Sequence, residues 1–115
     1  MTSPRSNLRG AVPMVRELKL VATAPFDNKL TKVPMDVWSL LTLQQLHIER
    51  NEIAQIPSQI GQLASLQHLN LAHNHIKTIA PEIKNLTSLT YLNLSGNQLV
   101  SLPNIGKKSM FLFLL

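Results

Sequence analysis

Four histidines, one tyrosine and a recurrent asparagine are the side chains of this sequence with chemistry to offer. They are His47, His68, His73 and His75, Tyr91, and Asn28, Asn51, Asn74 and Asn97. Imidazoles invite a metal, but a zinc site wants three or four converging ligands and the chain has no cysteine to help complete one. His73 and His75 flank Asn74, while His47 and His68 fall one position out of line in the pattern described below. That arrangement does not converge, so no metal and no cofactor is expected. Catalysis fares no better. The sequence has no Gly-rich phosphate loop, no G-x-S-x-G and no His-Glu-x-x-His, so no catalytic residue is assigned and the chain is read as non-enzymatic. Asn85-Leu86-Thr87 and Asn93-Leu94-Ser95 match the glycosylation sequon, which carries meaning only on a secretory route.

The elements that must position these residues follow from a repeat. Overlaid at a shift of 23, Leu43, Leu66 and Leu89 coincide, as do Leu46, Leu69 and Leu92, and Ile48, Leu71 and Leu94. Asn51, Asn74 and Asn97 follow in step, then Ile53, Ile76 and Leu99, then Ile56, Ile79 and Leu102. Self-similarity at such a period decides the architecture before local propensity does. An asparagine amide is both donor and acceptor, so one placed at each turn can satisfy backbone groups that would otherwise be buried unpaired. Asn28, Asn51, Asn74 and Asn97 are therefore read as a structural asparagine ladder.

The motif L-x-x-L-x-L-x-x-N-x-L-x-x-L-P-x-x-I-x-x-L resembles the leucine-rich repeat from Asn28 onward. The ending Ile56-Pro57-x-x-Ile60-x-x-Leu63 is similar to the intracellular Ras-group subclass. The resemblance implies an α/β solenoid with a short parallel concave β-sheet, an irregular or short-helical convex side, and about four repeats. It also implies a non-enzymatic protein-protein interaction module, an intracellular signalling scaffold or adaptor whose partners would be small GTPases or a phosphatase complex. The alternative is a recognition segment, or a truncated product, of a larger leucine-rich repeat enzyme such as a kinase, a ubiquitin ligase or an adenylyl cyclase.

Each unit should open with a strand, on residues 45–49, 68–72 and 91–95, with Leu46 and Ile48 and their equivalents inward. The outward side chains then form three columns. They are Gln45, His68 and Tyr91; His47, Asn70 and Asn93; and Glu49, Ala72 and Ser95. The scaffold does not require these identities, so this concave face is the expected partner-binding surface, with Tyr91 as an anchor. Four strands span only about 15 Å, small against the roughly 800 Å² a standard interface takes from each partner.

The ends are less regular. Residues 1–13 read as a flexible basic tail and 14–115 as the repeat domain. That domain divides into an atypical first repeat (15–42), two full repeats (43–65 and 66–88) and an incomplete or truncated end (89–115). In the first repeat Val15, Leu18 and Leu20 fit the strand slots, which requires a five-residue insertion within 21–27 and would let Glu17, Lys19 and Val21 extend the columns. The unbroken alternative puts Pro25 in a paired strand, at the loss of a ladder bond. Phe26 and Trp38 are expected to cover the open end of the core. Ala80 stands where the preceding unit has Pro57, with Pro81 after it, which predicts a turn shifted by one residue. At the other end Leu112 and Leu115 return to the register of Leu89 and Leu92, leaving Phe111–Leu115 as an apolar edge open to self-association.

Composition supports this reading. Only 4% of residues are aromatic against 44% hydrophobic, as expected when identical slots recur along a column. The net charge of +5 concentrates at the ends, with Arg5, Arg9, Arg16 and Lys19 at one and Lys107 and Lys108 at the other. No basic stripe with interleaved aromatics appears, so no nucleic acid is expected. No apolar run reaches the roughly 20 residues of a membrane helix. The absence of cysteine, with no long apolar segment near the N-terminus, points to a reducing, cytoplasmic setting.

Overall fold

The computed structural model describes residues 21–23, 29–106 and 111–114. Seven short strands run along it: β1 (Val21–Thr23), β2 (Gln45–His47), β3 (Gln55–Ile56), β4 (His68–Asn70), β5 (Thr78–Ile79), β6 (Tyr91–Asn93) and β7 (Phe111–Phe113). Five of them form one parallel sheet in the order β1-β2-β4-β6-β7, and β3 and β5 pair separately. The result is a repeat solenoid of parallel strands, with one sheet strand for each pass of the chain.

Each unit is wound by the same bonds. After the strand, the ladder asparagine turns the chain outward. A single turn of 3₁₀ helix then brings it back, at Met35–Ser39, Ser58–Gln62 and Pro81–Asn85. Few residues separate the turn from the next strand, and the tight 3₁₀ geometry suits so short a return. Its bonds recur at the repeat spacing: Val37 N–H donates to Pro34 O, Ile60 N–H to Pro57 O and Ile83 N–H to Ala80 O. The third helix is therefore not shifted by Ala80. Pro81 sits at its first position, where a proline's missing N–H has no intrahelical partner to lose.

Alternation along the strands and the return leaves one continuous aliphatic core. Leu46, Leu69 and Leu92 point in from the sheet, and Ile48, Leu71 and Leu94 follow them. Ile53 and Ile76, Ile60 and Ile83, and Leu63 and Leu86 close from the return side, all at 1% exposure or less. Each such side chain contributes about 1.5–3 kcal/mol through burial. Val37 and Trp38 extend this core into the first unit, while Phe26 lies outside the described residues.

The ends depart from the sequence reading in register. β1 sets Ala22 opposite Leu46, a spacing of 24, with Val21 opposite Gln45 and Thr23 opposite His47. The expected five-residue insertion is thus a single extra residue. It falls between Thr23 and Leu30, because Leu30 already matches Ile53 in its bond to a ladder asparagine. The unbroken register fails as well, since Thr23 faces His47 and not Leu46, and Pro25 lies outside the described residues. Val21 therefore holds the register position of Gln45 and not that of Glu49, while Glu17 and Lys19 lie outside the described residues. At the other end Leu112, not Leu115, pairs with Leu92, a spacing of 20. The third return lacks the isoleucine and leucine that fill the earlier ones: Gly106 stands in the isoleucine slot and Ile105, one residue early, packs partly against the core. A shorter return brings β7 in sooner.

The residue before each of Asn51, Asn74 and Asn97 is left-handed. Arg50, His73 and Gly96 have φ of 60°, 58° and 72°. A non-glycine residue there costs about 1 kcal/mol, yet two of the three units accept it. Glycine at 96 has a second reason. A Cβ added there would press into the His73 imidazole, which lies across it. Gly96→Ala is expected to lower stability by about 1 kcal/mol, and placing it in a His73→Gly background should recover part of that loss in thermal melts.

Candidate functional site

The exposed sheet face carries the residues picked out from sequence, and pairing sets them in the expected order. Gln45, His68 and Tyr91 are opposite one another on β2, β4 and β6, as are His47, Asn70 and Asn93. All six are half-buried. The strands end two residues earlier than expected, but their ladder continues. Ile48 N–H donates to Asn70 O and Arg50 N–H to Ala72 O, while Leu71 N–H donates to Asn93 O and His73 N–H to Ser95 O. Glu49, Ala72 and Ser95 therefore stay aligned as a third column. Ala72 is only 5% exposed and offers a partner almost nothing.

Three rings assemble across the columns. His68 stacks on Tyr91 with ring centres 3.9 Å apart and planes within 5°. His47 meets the same His68 at 4.7 Å, tilted by 37°. The one-column offset that disfavours a shared metal is what lets His47 reach diagonally onto His68. The ridge is braced at both ends: His47 Nε2 donates to Gln45 Oε1 at 2.9 Å, and Asn93 Nδ2 donates to Tyr91 Oη at 3.3 Å. Rings held this way have little side-chain freedom left to lose on binding.

Asn70 and Asn93 do double duty. Asn70 Oδ1 accepts from Ala72 N–H at 3.1 Å, and Asn93 Oδ1 accepts from Ser95 N–H at 3.0 Å and Ser95 Oγ–H at 2.6 Å. Their carbonyl ends thus hold the strand exits, a use that outward orientation alone does not reveal. Glu49 Oε1 is buried and has no hydrogen-bond partner among the described residues.

Beneath the face lies the asparagine ladder. Asn51, Asn74 and Asn97 each accept a backbone N–H on Oδ1, from Leu30, Ile53 and Ile76 at 3.1, 3.1 and 2.9 Å. Each Nδ2 donates back to carbonyls of its own strand exit. Asn74 also reaches Ile48 O, and Asn97 reaches Leu71 O, in the preceding unit. Asn28 lies outside the described residues. His73 and His75, read from sequence only as flanking Asn74, turn out to line a cleft with Lys29 and Arg50. The signal for it was Gly96, which marks by its alignment with Arg50 and His73 where side chains leave a left-handed turn.

Among the described residues no group of three or more His, Cys, Asp or Glu side chains is placed to hold a metal ion. Among the same residues no helix is long and apolar enough to cross a membrane. The family model described as leucine rich repeat matches residues 27–76 and 41–99. Among solved structures, a leucine-rich repeat protein of Leptospira interrogans is similar with a TM-score of 0.59 and 35% identity over 62% of this chain. The chain spans 18% of that protein's length. No curated protein matches it.

Proposed function

Since the chain belongs to the leucine-rich repeat family, a family that serves in general as a protein-protein interaction module, we propose that it binds a protein partner on the exposed, concave face of its sheet and acts as a scaffold or adaptor. The observation that carries this reading is the ridge of His47, His68 and Tyr91. The fold does not need three rings there, because Leu69 and Asn74 already specify the core and the turn beneath them. A pre-ordered ridge of amphipathic rings, with hydrogen-bonding edges outward, has the character of an interface hot spot. Glu49 beside it supplies an unsatisfied acceptor.

The proposal extends to the Ras-group subclass, supported by Ile56-Pro57 and by Ile60 and Leu63 at their places in that pattern. On that resemblance, small GTPases and phosphatase complexes are the first partners to test, in a cytoplasmic signalling setting. The site comprises Gln45, His47, Glu49, His68, Asn70, Tyr91, Asn93 and Ser95, with Ala72 as its floor. The experiment is affinity capture from cell lysate, with the chain and its His47→Ala/His68→Ala/Tyr91→Ala variant as paired baits. A protein retained by the first and lost by the second, with the variant's melting temperature little changed, is the expected result. Equal retention by both baits would remove the face from the interaction.

A further inference from the structure

The segments that follow β1, β2 and β4 line a cleft that the ring ridge does not include. Its volume is about 340 Å³, and its lining is Lys29, Arg50, Asn51, Glu52, His73 and His75. Asn51 belongs to the ladder; the other five side chains are exposed. They comprise two permanent cations, two imidazoles and one carboxylate. The cleft is therefore cationic in a chain whose net charge is already +5, and the field around it favours an acidic ligand.

Backbone geometry makes the basic residues notable. Lys29, Arg50 and His73 all reach the cleft from left-handed conformations, with φ of 59°, 60° and 58°. Arg50 and His73 occupy the position that Gly96 fills in the following unit. The turn can thus be made with glycine, and a side chain at this position is held against backbone preference. Both units that hold one present a basic group to the same cleft.

We propose that this cleft binds an acidic segment of a protein partner, with Asp or Glu carboxylates received by Lys29, Arg50, His73 and His75. The inference rests on the reading of the chain as a protein-binding module and adds the partner's chemistry at a second contact region. Glu52 favours a peptide over a nucleic acid, because it sets a like charge against any continuous phosphate backbone while spaced carboxylates can straddle it.

The test is fluorescence anisotropy of a fluorescein-labelled peptide of alternating Glu and Gly, titrated at low salt with the full chain. The decisive variant is Arg50→Gly/His73→Gly, which keeps the turn in the form Gly96 already takes and removes two of the four basic groups. Saturable binding to the chain, weakened roughly tenfold in this variant at an unchanged circular dichroism spectrum, is expected from the loss of one exposed charge contact and one imidazole donor. Should that variant not fold, Lys29→Glu/His75→Gln takes its place with the same expected loss. The triple-alanine variant of the ring ridge should bind the peptide as the unmodified chain does, so failure at the sheet face and failure at the cleft are separable. Absence of peptide binding, or equal binding by the cleft variant, would overturn the proposal. So would displacement by inorganic phosphate at the same concentration as the peptide, or tighter binding of a single-stranded DNA oligonucleotide.

Discussion

Asn74→Asp is expected to destabilise the fold by about 3 kcal/mol or more, beyond the roughly 2 kcal/mol expected of Asn74→Ala. The side chain is 3% exposed and works in both directions. Its Oδ1 accepts the Ile53 N–H, and its Nδ2 is 3.1, 3.0 and 3.3 Å from the carbonyls of Ile48, Leu71 and Ala72. Alanine removes all four contacts, yet the three carbonyls keep other donors. Asn51 Nδ2 reaches Ile48 O, Asn97 Nδ2 reaches Leu71 O, and Arg50 N–H reaches Ala72 O. The Ile53 amide is what alanine leaves orphaned. Aspartate keeps that one bond but sets a buried carboxylate against three carbonyl oxygens with nothing to donate. Urea unfolding of the two variants beside the parent separates the cases. Alanine proving worse than aspartate would mean that the accepted bond, and not the donated ones, dominates the ladder.

Leu69→Ala is expected to cost about 3–4 kcal/mol. Leu69 is fully buried on the middle strand of the sheet, between Leu46 and Leu92 on its two neighbours. Truncation there leaves a cavity that neither neighbour can fill without breaking its own strand register. A domain of this size has about 5–15 kcal/mol in total, so the loss is a large share of what holds it folded. Val100→Ala is the matched control, since Val100 is 90% exposed and should melt like the parent. A shift below about 1 kcal/mol for Leu69→Ala would mean that the sheet relaxes around the vacancy.

The sequence carried the interior well and the ends poorly, for one reason. Leu46, Leu69 and Leu92 pair at a spacing of 23 because a buried slot accepts only a narrow range of side chains, and that restriction is written in residue type. The spacings of 24 and 20 at β1 and β7 arise from loop lengths, which leave no such imprint. By type alone Leu18 and Leu115 fit the slots opposite Leu46 and Leu92, which Ala22 and Leu112 hold. At the site, the columns of Gln45, His68 and Tyr91 and of His47, Asn70 and Asn93 followed from alternation. The stacking of His47 on His68, and the turning of Asn70 and Asn93 carbonyls onto their own backbone, depend on rotamers that alternation does not specify.

The ladder's shared carbonyls bear on how one unit of this chain joins the next. Ile48 O receives the amides of both Asn51 and Asn74, and Leu71 O those of Asn74 and Asn97. Residues 66–88 therefore meet the same bonding pattern before them and after them, as one link does within a row of like links. A further copy of that link would find every junction already made, and nothing inside it counts how many have gone before. The spacing departs from 23 at β1 and β7, so the bonds of residues 66–88 are not carried unchanged to those two strands. Growth and shrinkage of the row by whole units are open to this fold in a way that gain or loss of a few residues within a unit is not.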